Sequence, residues 1–251
     1  MIQSLTEREQ ALIDLIIEDP NCSVSQMSGA LGISAVTVRS VLNSLAEKGM
    51  IVRTWGGAAP AFHPAMAERQ RAAVDQKHRI ARAAAELVSD GDAIMIEAGT
   101  TTALIARYLF GKRAISIVTN SSLLIPYARA NPQIALTLVG GAFRPETESF
   151  VGPIATSELE RFHVKTAFVG TDGFSIEHGL STHLVEGAEI VRKMATQADQ
   201  VIAVADSSKW DRRGFVAVLG LSDISQIITD RDLPQEAVDA FEERTITVSR
   251  V

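Results

Sequence analysis

From Thr6 to Glu18 the stretch TEREQALIDLIIE sets Ala11, Leu12, Leu15 and Ile16 at helical spacing, behind a threonine that can cap the helix with Glu9 three residues on. Pro20 ends this helix. A shorter pattern follows in SVSQMSGALG, with Val24, Met27, Ala30 and Leu31 turned inward and Gly32 supplying a turn. ISAVTVRSVLNSLAEKG starts a third helix with Ser34 as its N-cap and Gly49 past its end. On that helix Val38, Val41, Leu42 and Leu45 share one arc, while Val36, Arg39, Ser40, Asn43 and Glu47 face the other way. MIVRTWGGA then reads as a short hairpin over Met50 to Trp55, ending in a glycine pair suited to positive φ. Three helices with a tight turn before the third, followed by a hairpin, predict a winged helix-turn-helix over 1–58.

Residues 59–75 open with Pro60 and Pro64 and show no apolar periodicity, which predicts a linker. Gln76 to Ser89 is helical again, with Ile80, Ala83, Ala84 and Leu87 on one side. Beyond it AIMIE, AISIVTN, IALTLVGG and TAFVGTDG are each followed by a helical stretch: to Phe110, to Ala130, from Ile154 to Arg161, and from Val185 to Ala198. VIAVADSSK, VAVLG and QIITD add strands, EAVDAFEER a helix and TITVSRV a closing strand. This alternation predicts an α/β, Rossmann-like domain over 76–251 with a mostly parallel sheet covered by helices.

Composition narrows the class. The 251 residues are 46% hydrophobic and 22% charged, enough apolar material for a sizeable core and incompatible with intrinsic disorder. No stretch reaches membrane-spanning length, and MIQSLTEREQALIDLI lacks a basic segment, a long apolar core and a cleavage site. A cytoplasmic protein with no membrane partner is expected. The single cysteine, Cys22, excludes a disulfide within the chain, and no histidine or second cysteine groups with it, so neither metal nor cofactor is expected.

The net charge of −6 argues against indiscriminate coating of nucleic acid, but its distribution matters more. From Ser23 to Ala58 the cations Arg39, Lys48 and Arg53 oppose only Glu47, whereas the first helix carries Glu7, Glu9, Asp14 and Glu18. Double-stranded DNA is the expected partner. Ser34, Val36, Thr37, Arg39, Ser40 and Asn43 would lie along the major groove and Arg53 on the backbone, while Trp55 either packs the wing or reaches DNA. So weakly basic a unit predicts modest affinity per subunit, and hence a homo-oligomer. The competing use of such a fold is protein contact.

In the α/β domain, function is expected at the carboxyl ends of the strands. These ends are chemically alike: Glu97-Ala98-Gly99-Thr100-Thr101-Thr102, Thr119-Asn120-Ser121-Ser122, Gly140-Gly141, Gly170-Thr171-Asp172-Gly173 and Asp206-Ser207-Ser208-Lys209. A glycine followed by threonines, where a strand gives way to a helix, offers backbone N–H groups, hydroxyls and the positive end of a helix dipole to an anion. Phosphate is the expected anion, with Lys209 adding charge and Asp172 and Asn120 bonding sugar hydroxyls. Neither the Gly-Lys-Thr phosphate loop nor the three-glycine dinucleotide fingerprint is present, so ATP and NAD are not indicated.

The ordered set SAVTVRSVLNSLAEKGMIVRTWGGA, AGTTT, VTNS, GGAFRPETESFVGP, GTDGFS and ADSSK resembles the DeoR family of bacterial transcriptional repressors over nearly the whole length. The resemblance implies a winged helix-turn-helix on an operator and a C-terminal sensor domain for a phosphorylated sugar or polyol. That domain is in turn similar to ribose-5-phosphate isomerase, whose phosphate loop corresponds to Gly99 to Thr102. Ser121, Gly141 and Arg144 within the motifs, and Glu189 outside them, join the implied effector contacts. Three positions depart from the family: Glu97 stands where aspartate is usual, Arg39-Ser40-Val41 replaces two arginines and an aspartate, and Trp55 replaces a wing histidine. A tetramer fits the family; the residues themselves leave dimer or tetramer open.

The rival reading is a sugar-phosphate isomerase or deaminase-like enzyme, with Asp172 and Glu189 as remnant acids. The isomerase's lysine would fall between Gly173 and Ala188, where GFSIEHGLSTHLVEGA holds no lysine or arginine, only His178 and His183 as substitutes. A regulator without catalytic residues is therefore expected.

Overall fold

A computed structural model describes residues 5–19 and 22–251; residues 1–4 and the predicted helix stop Pro20 lie outside the described residues. The chain forms two compact units, Met1–Gln70 and Arg71–Val251.

In the first unit α1 (Glu7–Glu18) starts with a reciprocal cap, in which Thr6 Oγ1 accepts from the Glu9 amide and Glu9 Oε2 accepts from the Thr6 amide. Ser23 and Gln26 repeat the device at α2 (Val24–Leu31), a cap the apolar pattern did not reveal. Gly32, at φ +63°, turns the chain into α3 (Ala35–Glu47), capped by Ser34. Strands β1 (Ile51–Thr54) and β2 (Gly57–Pro60) pair antiparallel to form the wing. Leu12, Ile16, Met27, Val38, Leu42 and Leu45 are fully buried together. Ala30 is exposed rather than inward, because at 100° per residue it stands about 120° from Val24, off the stripe that Val24, Met27 and Leu31 define. Of the glycine pair only Gly56 has positive φ, +87°.

The expected linker is largely regular structure: β2 runs to Pro60, α4 spans Pro64–Arg71, and α5 (Val74–Glu86) begins before residue 76. Sparse apolar residues hid α4, whose one buried side chain is Met66. Leu87, placed inward from sequence, is exposed because it falls just beyond the last turn of α5.

The second unit is built on seven parallel strands in the order β14-β13-β11-β8-β3-β4-β5. They are β3 (Ala93–Ile96), β4 (Ile115–Thr119), β5 (Ile134–Leu138), β8 (Val164–Val169), β11 (Ala198–Val204), β13 (Gln226–Thr229) and β14 (Thr247–Arg250). Alternate residues feed opposite layers. Ile94, Ile96, Phe168, Ile202 and Val204 pack with α5 and with α6 (Thr102–Tyr108). Met95, Ala167, Val169 and Ala203 pack with α8 (Pro153–Leu159), α9 (Val185–Thr196) and α10 (Gln235–Glu242). Burial on both faces explains why these strands read as continuous apolar runs. α7 (Ile125–Ala130) leads into the edge strand β5.

Two small antiparallel assemblies went unread. β6 (Ala142–Arg144) and β7 (Ser149–Val151) form a hairpin after Gly141. β9 (Gly173–Ser175), β10 (Gly179–Thr182) and β12 (Val216–Leu219) form a separate sheet, so VAVLG is not a strand of the main sheet. Three-residue pieces such as β6, β7 and β9 are too short for periodicity to register, and which sheet a strand such as β12 joins is decided by its distant partner.

Candidate functional site: recognition helix and strand-end crevice

The outward face of α3 is as the spacing predicts: Val36, Arg39, Ser40 and Asn43 are exposed, Thr37 is partly exposed, and the buried stripe is Val38, Leu42 and Leu45. Ser34 Oγ accepts from the Thr37 amide at 3.1 Å and bonds Thr37 Oγ1 at 2.8 Å, so both hydroxyls sit at the helix entrance. Lys48 is committed within the protein, its Nζ lying 2.7 Å from the buried Glu9 carboxylate. That contact, with the Thr6 amide and the Ser44 hydroxyl, holds Glu9 down at about 2. Arg53 and Asn43 bond each other, Nη1 to Oδ1 at 2.6 Å. Trp55 is fully exposed at the wing turn, which removes the packing alternative for it.

In the second unit β3 lies between β8 and β4, so the connections run to opposite sides of β3 and the chain reverses direction of winding there. Glu97 follows β3 and its Oε2 accepts from the Gly170 amide, after β8, at 3.1 Å. A Cβ on Gly170 would stand 3.3 Å from that oxygen. The carboxylate therefore joins the two strand ends at the switch point. Gly99 approaches just as closely, a Cβ there meeting Thr102 Oγ1 at 2.9 Å. The ladder of α6 opens with the Ala103 amide on Gly99 O, leaving the amides before it ahead of the helix. Thr101 is buried and its side chain makes no cap bond, whereas Thr102 Oγ1 donates to Gly99 O.

The other residues divide by what already holds them. Asn120 is buried, its Oδ1 accepting from the Ala98 amide and its Nδ2 donating to Phe150 O. It ties β3, β4 and β7 together. Ser121 is buried and its Oγ accepts from the Leu123 amide. Gly141 has φ +134°, and a Cβ there would meet Val151 O at 2.5 Å, so it serves hairpin packing. Arg144 pairs with Glu186 at 2.7 Å, which draws Glu186 below its usual value through its own backbone amide and the Arg144 bond. Arg144 Nε is buried with no partner among the described residues. Glu189 is exposed on α9, one turn beyond Glu186. Asp172 Oδ2 accepts from Thr182 Oγ1 and the His183 amide. Lys209 is partly exposed in the short helical turn after β11, where Asp206 caps the turn through Ser208. Phe150 and Glu186 were missed because one acts through its backbone carbonyl and the other across a long sequence separation. Among the described residues no three acidic, histidine or cysteine side chains gather as for a metal.

A winged helix-turn-helix with an open polar face on its third helix, followed in the chain by a parallel α/β unit, is the plan of a DNA-binding regulator. Residues 8–61 match the DeoR-like helix-turn-helix domain and residues 72–231 the DeoR C terminal sensor domain, and the chain belongs to the DeoR family of transcriptional regulators. It is similar to the HTH-type transcriptional repressor GlcR of Bacillus subtilis (strain 168), 34% identical over 92% of this chain and 90% of that one. It is 33% identical to the HTH-type transcriptional regulator GlpR of Haloferax volcanii, over 96% of each. The putative aga operon transcriptional repressor of Escherichia coli O157:H7 is 28% identical over 98% of this chain and 94% of its own. Among solved structures, ribose 5-phosphate isomerase A from Methanocaldococcus jannaschii aligns at TM-score 0.40 and 21% identity, over 54% of each chain. Family membership makes the protein a transcriptional regulator. No single described helix is long and apolar enough to cross a membrane.

Proposed function

We propose that this regulator represses a carbohydrate-utilisation operon and is released by a phosphorylated sugar or polyol bound at the carboxyl ends of β3, β8 and β11. The observation that carries the reading is the Gly99–Thr101 segment at the switch point, where backbone amides ahead of α6 and the uncommitted Thr101 hydroxyl face no described acceptor of their own. Thr100 completes that segment and Lys209 supplies a cation from the next strand end but one. Asp172 orients the ligand within the network it makes with Thr182 and His183. Asn120, Ser121 and Gly141 shape the crevice rather than touch the ligand, a revision of their sequence reading. On DNA, Ser34, Val36, Thr37, Arg39 and Ser40 occupy the major groove. The names of its relatives, which include an aga operon repressor, favour carbohydrate genes as the target.

The protein acts as a homo-oligomer in which two winged units engage half-sites about one helical turn apart, or multiples of that. A thermal-shift screen of the full chain against sugar and polyol phosphates, with the unphosphorylated parents as controls, tests the site. A ligand of the folded state raises Tm by mass action, so a phosphate-dependent rise is the expected result. No rise across the panel sinks the phosphate reading and reduces AGTTT to the start of a helix.

A further inference from the structure

The wing holds a bonded device that the groove reading does not use. Arg53 sits on β1 opposite Ala58 of β2. Its Nη1 donates to Asn43 Oδ1 on α3 at 2.6 Å, and its Nε donates to Gly57 O on β2 at 3.3 Å. At the other end of the same turn, the Val24 amide donates to Gly56 O at 3.0 Å, and Ser23 forms an isolated antiparallel bridge with Gly57. A Cβ on Gly57 would come within 2.7 Å of Cys22 O, so the wing backbone lies directly against the entrance of α2. The wing is therefore tied to both helices of the helix-turn-helix, to α2 through its glycines and to α3 through Arg53.

We propose that Arg53 and Asn43 form a clamp that sets the wing relative to the recognition helix before DNA arrives, and that neither residue reads the operator. The inference rests on α3 being the groove helix. Its physical basis is the planar fork of the guanidinium, which aims donors from two separate nitrogens at two acceptors on different elements, where an ammonium must serve both from one. Two of five donors are committed in the free protein, and a wing held in place loses less conformational freedom on binding. Arg53 and Asn43 are thus positioning residues, and the side chain the clamped wing presents to the duplex is Trp55, which stands fully exposed at the turn.

The test is fluorescence anisotropy of the full-length protein on a duplex that the wild-type chain selects from a random library, repeated at several salt concentrations. The variants are Asn43→Ala, Arg53→Ala, Arg53→Lys and the double Asn43→Ala with Arg53→Ala. For a clamp, each single variant binds about tenfold more weakly and the double loses no more than about twofold beyond either, because both remove one interaction. Arg53→Lys is as weak as Arg53→Ala, and the slope of log affinity against log salt is unchanged in all four. The proposal is overturned if the single losses multiply in the double variant, or if either single variant binds as the wild type does. It is equally overturned if Arg53→Lys restores binding while Arg53→Ala lowers the salt slope by about one, the signature of a phosphate contact. Arg39→Ala is the control for the underlying reading: if it binds normally the groove assignment fails, whatever the clamp variants do.

Discussion

Glu9 shows how one acid can stabilise a small unit. It is buried between α1 and α3, bonded to Lys48, Thr6 and Ser44, and held at about 2 against an ordinary value of 4.5. Its contribution is complete above pH 4.5 and is lost as pH falls toward 2, because the folded state must then give up its ionised form. The Tm of the wild type should therefore exceed that of Glu9→Gln at neutral pH, and the gap should shrink between pH 4.5 and 2. A pH-independent gap over that window would remove the charge from the explanation. Two more variants separate the two units of the chain. Arg39→Ala should weaken operator binding by on the order of tenfold, about 1–3 kcal/mol for a lost base contact, and leave ligand-induced thermal shifts intact. Thr101→Glu, which sets a carboxylate among the amides of the anion segment, should abolish those shifts while operator binding persists. Retained shifts would place the phosphate elsewhere.

At the scale of elements, the hairpin of β6 and β7 depends on one glycine and one asparagine. Gly141 combines φ +134° with a 2.5 Å approach of its would-be Cβ to a backbone oxygen, so Gly141→Ala adds both conformational strain and a clash that no side-chain movement relieves. A loss of about 2–4 kcal/mol in urea unfolding is the expected outcome. Wild-type stability with a selective loss of ligand affinity would instead return Gly141 to the list of effector contacts. Asn120 acts similarly between elements, spending its side-chain amide on Ala98 and Phe150. Sequence marked both residues as chemically interesting because they sit at strand ends. Their packing and partners within the protein give both an architectural role.

For the whole molecule, a ligand at the strand ends matters only if it changes operator affinity. The coupling expected of such a regulator is about 1–3 kcal/mol, and by linkage operator DNA must weaken effector binding by the same factor. Titrating effector into the free protein and into the operator complex should give dissociation constants that differ by that factor. Equal constants would mean that the two units act independently. Much of this was legible in the chain itself. The helices of the first unit announced themselves through 3.6-residue periodicity and through caps such as Thr6 and Ser34, both local properties. The parallel strands were visible as apolar runs, because burial on both faces demands them. Which strand ends meet was not, since the order β8-β3-β4 brings together residues some seventy positions apart, as Glu97 and Gly170 show. The same holds for commitments between side chains. Residue type put Arg53, Asn43 and Asn120 forward as ligands of DNA or sugar, and only tertiary structure gave them partners within the protein. Sequence determined the longer helices and the strands of the parallel sheet, and which chemical groups gather at their ends; the tertiary structure decided which of those groups are already bonded, because a hydrogen-bond partner distant in the chain leaves no periodic trace.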